Sequence, residues 1–389
     1  MSTKLKLAKG LGLILGLGIG VSAWASPTCP TGINFNFNQS VQFGDGFSQS
    51  LPLSGLSVQS SPGQISDCLV VATGPNGGPV TDNQNLVPPG SVDNAYETPN
   101  GPNANSWFRT GDPNNSQDPL PAFTGDRPDS WDVKGNTLKS FLAGNALLFY
   151  FNHNQTNSGS AIDQDLFIWA QIVVRSSAGT VKAIYDFRSM VNTTLPDNFG
   201  CLAGSPSGTE TCTFDKTGGN YTSPGLADNT YPSGTQGAAA SAPKLADFVR
   251  ARGQLCTLGG TIVPCGTAGA TTFNTNLGAD HVANAIFFPE LQALINGGSL
   301  LDNDVLSIDL RMGCNPLYAT CPAGSVLNNG YEQLFIVRAP QQGVCPDPTN
   351  PICTPDTPEP GTLALVGLAA IGLAATRRKL VRKGDVSAA

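Results

Sequence analysis

Short apolar runs separated by long polar stretches make up most of this chain, and several of the runs carry a period of two. Ile33-Asn34-Phe35-Asn36-Phe37 and Val41-Gln42-Phe43 alternate apolar and polar residues, the pattern of half-buried strands. Residues 69–72 add a short apolar run. Residues 147–151, 166–174 and Val181–Phe187 are apolar on both faces, as strands enclosed in a sandwich are. The last two are joined by Arg175-Ser176-Ser177-Ala178-Gly179-Thr180, a hairpin connection. Residues 305–310, which alternate clearly, and 333–337 predict two further strands.

Helical signals are fewer. Leu245, Phe248 and Val249 begin an apolar stripe that predicts a helix over 243–254, with Gly253 weakening its end. A better one runs Pro289–Asn296, with proline in the first turn and Gly297 as its stop. Polar stretches rich in Pro, Gly and Asn at 73–132, and in Gly, Thr and Ser at 199–241, read as long loops or an insertion. The expectation is a mainly β, β-sandwich-like domain with long loops and one or two short helices.

Both ends carry address signals. Lys4, Lys6 and Lys9 precede an apolar run from Leu11 to Val21, and Ala23-Trp24-Ala25 supplies an A-x-A site, so a signal peptide over 1–25 is expected, engaging the general secretion machinery and signal peptidase. At the other end stands Pro358-Glu359-Pro360, then an uncharged stretch over 361–376, then Arg377, Arg378, Lys379, Arg382 and Lys383. As a helix that stretch would be about 24 Å long, short for a hydrocarbon core of about 30 Å. The basic flank compensates, because its stems can reach the headgroups and mark the cytoplasmic side. A helix buried in a soluble domain would show a polar face, and this one has none.

This order of features resembles the PEP-CTERM sorting tail of Gram-negative bacteria, also called an ice-binding-protein C-terminal domain. The resemblance covers about 357–383. It implies that Pro358, Glu359, Pro360, Arg377, Arg378 and Lys379 are the sorting motif, and that an exosortase, an integral membrane protease or transpeptidase, is the partner that removes the tail during export. It further implies an inner-membrane-anchored precursor, a mature form at the cell surface or outside the cell, and an association with exopolysaccharide. Residues 26–340 would then be the extracytoplasmic domain, and the Pro-rich 341–357 a stalk.

Composition fits export. Charged residues are 13% of the chain against a typical 25% or so, while Gly and Pro number 45 and 30 of 389 residues. Between the two targeting segments, residues 26–357 hold 13 basic and 26 acidic side chains, a net charge of −13 that repels phosphate backbones and argues against nucleic-acid binding. Ten cysteines, an even number, favour disulfides outside the cytoplasm. Eight fall in sequential pairs seven to eleven positions apart, predicting Cys201 with Cys212, Cys256 with Cys265, Cys314 with Cys321 and Cys345 with Cys353, which leaves Cys29 with Cys68. Cys-x-x-Cys or Cys/His spacing for zinc is absent.

Catalytic parts are scarce. The histidines are His153 and His281, and the sequence contains no G-x-S-x-G, H-E-x-x-H or Gly-rich phosphate loop. Asp280-His281 suits a loop or helix cap better than a dyad, and of Glu97, Glu210, Glu290 and Glu332 none can be nominated as a glycosidase acid. No catalytic residue is assigned. Asp302-Asn303-Asp304 with Asp309, and Asp163-Gln164-Asp165, group oxygen donors that Ca²⁺ could use, although neither completes an EF-hand pattern. Trp107 and Trp131, set among polar loop residues, are candidates for glycan stacking or for anchoring loops to the core. The expected function is that of a non-enzymatic surface or extracellular-matrix protein; the alternative is a carbohydrate-binding module or carbohydrate-active hydrolase using the aromatic loops.

Overall fold

The computed structural model describes residues 29–74, 83, 91–99, 107–110, 123–156, 164–188, 248–263, 265–313 and 326–341. The expected signal peptide, nearly all of the stalk, the sorting tail, Asp163, and Cys201, Cys212, Cys314, Cys321, Cys345 and Cys353 lie outside these residues. Among the described residues no helix is long and apolar enough to cross a membrane.

In chain order the strands are β1 (Ser40–Phe43), β2 (Gly46–Ser50), β3 (Leu69–Thr73), β4 (Tyr96–Glu97), β5 (Trp107–Arg109), β6 (Trp131–Lys134), β7 (Ala146–Asn152), β8 (Leu166–Arg175), β9 (Val181–Phe187), β10 (Val249–Ala251), β11 (Gln254–Leu258), β12 (Thr261–Val263), β13 (Thr271–Asn274), β14 (Asn284–Phe287), β15 (Val305–Gly313) and β16 (Gln333–Ala339). The helices are α1 (Pro62–Ile65), α2 (Gly135–Leu142) and α3 (Pro289–Asn296). Among the described residues the protein is therefore mainly β with short helices. One sheet runs β1-β2-β14-β7-β16-β3-β4, and a small one β12-β11-β13. The third is built on the long antiparallel pair β8–β15, in register from Val305↔Arg175 to Met312↔Ile168. Short strands lie end to end along its two edges: β9 and β10 on β8, β5 and β6 on β15.

The two large sheets share one hydrophobic core. Leu147, Phe149 and Phe151 of β7 and Leu334 and Ile336 of β16 meet Ile168, Ile172 and Val174 of β8 and Leu306, Ile308 and Leu310 of β15. Alternate residues of the first sheet, among them Leu148, Tyr150, Phe335 and Val337, pack into a second cluster with Phe35, Phe37, Leu51 and Ile65. This explains why β7 and β16 read as apolar on both faces: the first sheet is covered on both sides. The Cys29–Cys68 disulfide ties the N-terminal segment to this cover, and Cys256–Cys265 closes the small sheet. Both pairings match the expectation.

Two expected elements are different. Residues 33–37 are not a strand. Phe35 and Phe37 do point inward, onto Phe287, but the backbone bonds side chains instead of a neighbouring strand: Ile33 N–H donates to Tyr150 Oη at 2.9 Å and Asn36 N–H to Gln49 Oε1 at 2.8 Å. The helix expected over 243–254 is absent where the structure describes it, from Phe248 onward. Val249–Ala251 pairs with Leu166–Ile168, and Gln254 begins β11. The cause is tertiary. Asp165 forms ion pairs with Arg250 Nε at 2.8 Å and Arg252 at 3.3 Å and accepts Gly253 N–H at 2.9 Å, pinning this segment in extended form, and Gln164 leaves no room for a Cβ at Gly253. By contrast α3 has the expected bounds, and the β8–β9 hairpin closes through Ser176 N–H to Thr180 C=O at 2.8 Å.

Helix α2, unforeseen, presents Leu138, Phe141 and Leu142 to the core at helical spacing. Its first N–H groups, which no intrahelical carbonyl can satisfy, donate to Asp304 C=O at 2.8 Å and Asp302 C=O at 3.1 Å.

Candidate functional site

Along β15, Leu306, Ile308, Leu310 and Met312 enter the shared core, so Ser307, Asp309 and Arg311 face the other way. An outward face of an antiparallel sheet is commonly wet. Here it is buried: Ser307, Asp309 and Arg311 are 1%, 6% and 1% exposed, and Asp132 of β6, Arg109 of β5 and Gln171 and Arg175 of β8 are buried as well. The outcome is an internal polar layer on the β8–β15 sheet, on the face away from the shared core.

Most of it is paired. Arg311 grips Asp309 with two bonds, 2.6 and 3.2 Å, and stacks over the Trp169 ring at 5.0 Å. Thr110 Oγ1 donates to Asp309 at 3.3 Å and accepts Leu310 N–H at 3.2 Å. Gln171 Nε2 donates to Asp186 at 2.8 Å, and Asp186 N–H donates to Asp45 at 2.9 Å.

One corner carries concentrated negative charge. Asp93, Asp126 and Asp132 each bring a carboxylate oxygen to within 4.8 Å of the others. Asp93 is placed by a bridge between Val92 and Val133, with Asp132 N–H donating to its Oδ2 at 2.7 Å. Asp126 and Asp132 stand at the two ends of a tight loop, in which Arg127 N–H and Ser130 Oγ donate to Asp132 at 2.7 and 3.2 Å. Arg127 itself turns to Asp129 at 3.3 Å. Burial pushes the carboxyls of Asp126 and Asp129 upward and that of Asp132 to about 8, because a low-dielectric site penalises the ionised form. Arg175 is the cation that opposes this shift at Asp132. Chemically such a corner can hold a proton or a hard cation.

The residues first considered for Ca²⁺ are not brought together. Asp302 pairs with Lys139 at 2.5 Å and Asp304 with Lys182 at 2.6 Å, around a surface hollow of about 520 Å³. Asp309 belongs to Arg311. Ammonium and guanidinium groups already occupy the places a cation would take, so Asp302-Asn303-Asp304 is the dock for the N-terminus of α2. Asp165 is likewise committed, to Arg250 and Arg252.

Trp107 is 6% exposed, and Trp131 is fully buried within the shared core. A sugar-stacking platform needs an open ring face; Trp131 packs into the core, and Trp107, though on the face opposite the core residue Phe108, is buried as well. His153 is fully buried, whereas Asp280 and His281 sit where a bridge joins Gln59 to His281.

The acidic corner was not anticipated. Asp126, Asp129 and Asp132 are close in sequence, but Asp93 lies over thirty residues earlier and is brought to them by the Val92–Val133 bridge.

Comparison with known proteins gives two matches to family models. One, described as Domain of unknown function (DUF8239), covers residues 31–311, and the other, the PEP-CTERM protein-sorting motif, covers 356–379. No curated protein and no solved structure matches.

Proposed function

The chain belongs to the family described as Domain of unknown function (DUF8239) and ends in a PEP-CTERM sorting motif, and from that premise we propose a non-enzymatic surface or extracellular-matrix protein. It is exported as a membrane-anchored precursor whose tail an exosortase removes. The observation that carries this reading is the sorting motif at 356–379, which marks an exosortase-sorted exported protein. The domain is consistent with life outside the cell: two disulfides staple it, and buried ion pairs join Asp165 to Arg250 and Asp309 to Arg311. The sorting motif's association with exopolysaccharide makes that polymer the protein's surrounding material. The carbohydrate-binding alternative named Trp107 and Trp131, and their burial gives it no support.

The test is the mass and C-terminal residue of the protein recovered from cells with and without an active exosortase. A mature form ending near Pro360 only when the enzyme is active is expected. A chain that keeps Leu363 to Lys383 in both would overturn the reading in favour of a permanent anchor.

A further inference from the structure

We propose that Asp93, Asp126 and Asp132 form a divalent-cation site suited to Ca²⁺, with Ser307 as a neutral oxygen donor beside them. The spacing fits. Two oxygens bound to one Ca²⁺ at about 2.3–2.6 Å can be at most about 5 Å apart, and the three carboxylate oxygens lie within 4.8 Å of one another. All candidate donors are oxygens, which suits a hard cation and not zinc.

A second observation, separate from the acids, points the same way. Ser307 is 1% exposed, and its Oγ has no hydrogen-bond partner. It is the register partner of Asp132 across β6 and β15, so its hydroxyl shares the face of the Asp132 carboxyl and lies close enough to favour the ionised form, although no hydrogen bond of ordinary geometry is completed. Buried hydroxyls are normally satisfied, and an ion held by Asp132 would satisfy this one.

The charge count agrees. With all three carboxylates ionised and Arg175 beside Asp132, the corner retains two negative charges, which one divalent ion neutralises. An ion there would cross-link the 91–93 segment, the 126–130 loop and β6, reinforcing the pairing of residues 91–93 with β6 and the bonds of Arg127 N–H and Ser130 Oγ to Asp132.

The experiment uses the full chain, purified in detergent and stripped with chelator, and titrates it with CaCl₂ by calorimetry and by melting temperature. A saturable single site with Kd of order 10⁻⁴–10⁻³ M or tighter, the range of extracellular Ca²⁺ modules, and a melting temperature raised by a few degrees at saturation are expected. Asp126→Asn, at the partly buried member, should weaken Ca²⁺ at least tenfold. Ser307→Ala, which removes one buried hydroxyl and leaves the carboxylates in place, should weaken it several-fold, and Asp302→Asn should not change it. No heat and no melting shift in the native protein overturns the site. So does undiminished Ca²⁺ affinity in Ser307→Ala together with loss of binding in Asp302→Asn.

Discussion

His153 and Glu332 flank the last rung of the β7–β16 ladder, Asn152 against Gln333, and both are fully buried with side-chain polar atoms that make no hydrogen bond. Burial alone depresses the His153 imidazole to about 3 and raises the Glu332 carboxyl to about 8. Near pH 7 the native state holds both neutral.

The signs of their pH effects are opposite. Glu332 is protonated in the native state over a range where it is ionised when unfolded, so its contribution is intact below about 4.5 and is lost as pH rises toward about 8. Each such group contributes a slope of up to about 1.4 kcal/mol per pH unit. Glu332→Gln should therefore flatten the stability loss between about pH 5 and 8. Denaturant melts of both proteins across that range would show it, and parallel curves would mean the carboxyl is solvated.

His153 runs the other way. Its stability is intact above about 6.5 and is lost as pH falls toward about 3, because the unfolded chain takes up a proton that the native site refuses. His153→Gln should remove part of the acid destabilisation between about pH 6 and 4, measured by the same melts.

The two described disulfides should differ in worth. Cys29–Cys68 closes a sequence separation of 39 and Cys256–Cys265 one of 9. On the chain-entropy model these correspond to about 4 and about 3 kcal/mol. The Cys29→Ser/Cys68→Ser double variant should lose more still, since Cys68 sits in the cluster under the first sheet. Equilibrium unfolding of the two double variants decides the order.

Arg311 and Asp309 form a buried pair whose geometry depends on both members. Removing one charge leaves the other stranded, so Asp309→Asn should cost about 3–5 kcal/mol, whereas replacing both with apolar residues of similar volume should cost far less. A double-mutant cycle in denaturant measures that coupling.

Trp131→Ala should destabilise by about 3–5 kcal/mol, the cost of emptying a packed core site. Per folded molecule, retardation on polysaccharide gels should stay as in the native protein. A selective loss of retardation would restore the glycan role to this residue.

Local pattern carried much of the fold. The apolar runs that became β7, β8, β9, β15 and β16 are long enough that burying them as strands outweighs other choices, and the Pro-to-Gly bounds of α3 are written in consecutive residues. Nearby cysteines found each other across one short hairpin, and the sorting tail was legible because its features stand in fixed linear order. What depends on distant partners was not. The 248–254 segment follows Asp165 and β8, which outweigh its weak helical stripe. Whether Trp107 and Trp131 lie on a surface or in a core depends on β15 pairing beside them. The acidic corner exists only because Val92 meets Val133 and Ser307 meets Asp132. Sequence by itself determined the long core strands, the sorting motif and the absence of familiar catalytic motifs, since these rest on contiguous residues. Tertiary structure alone decided which charges are paired and which carboxylates converge, because both depend on strand register between segments up to two hundred residues apart.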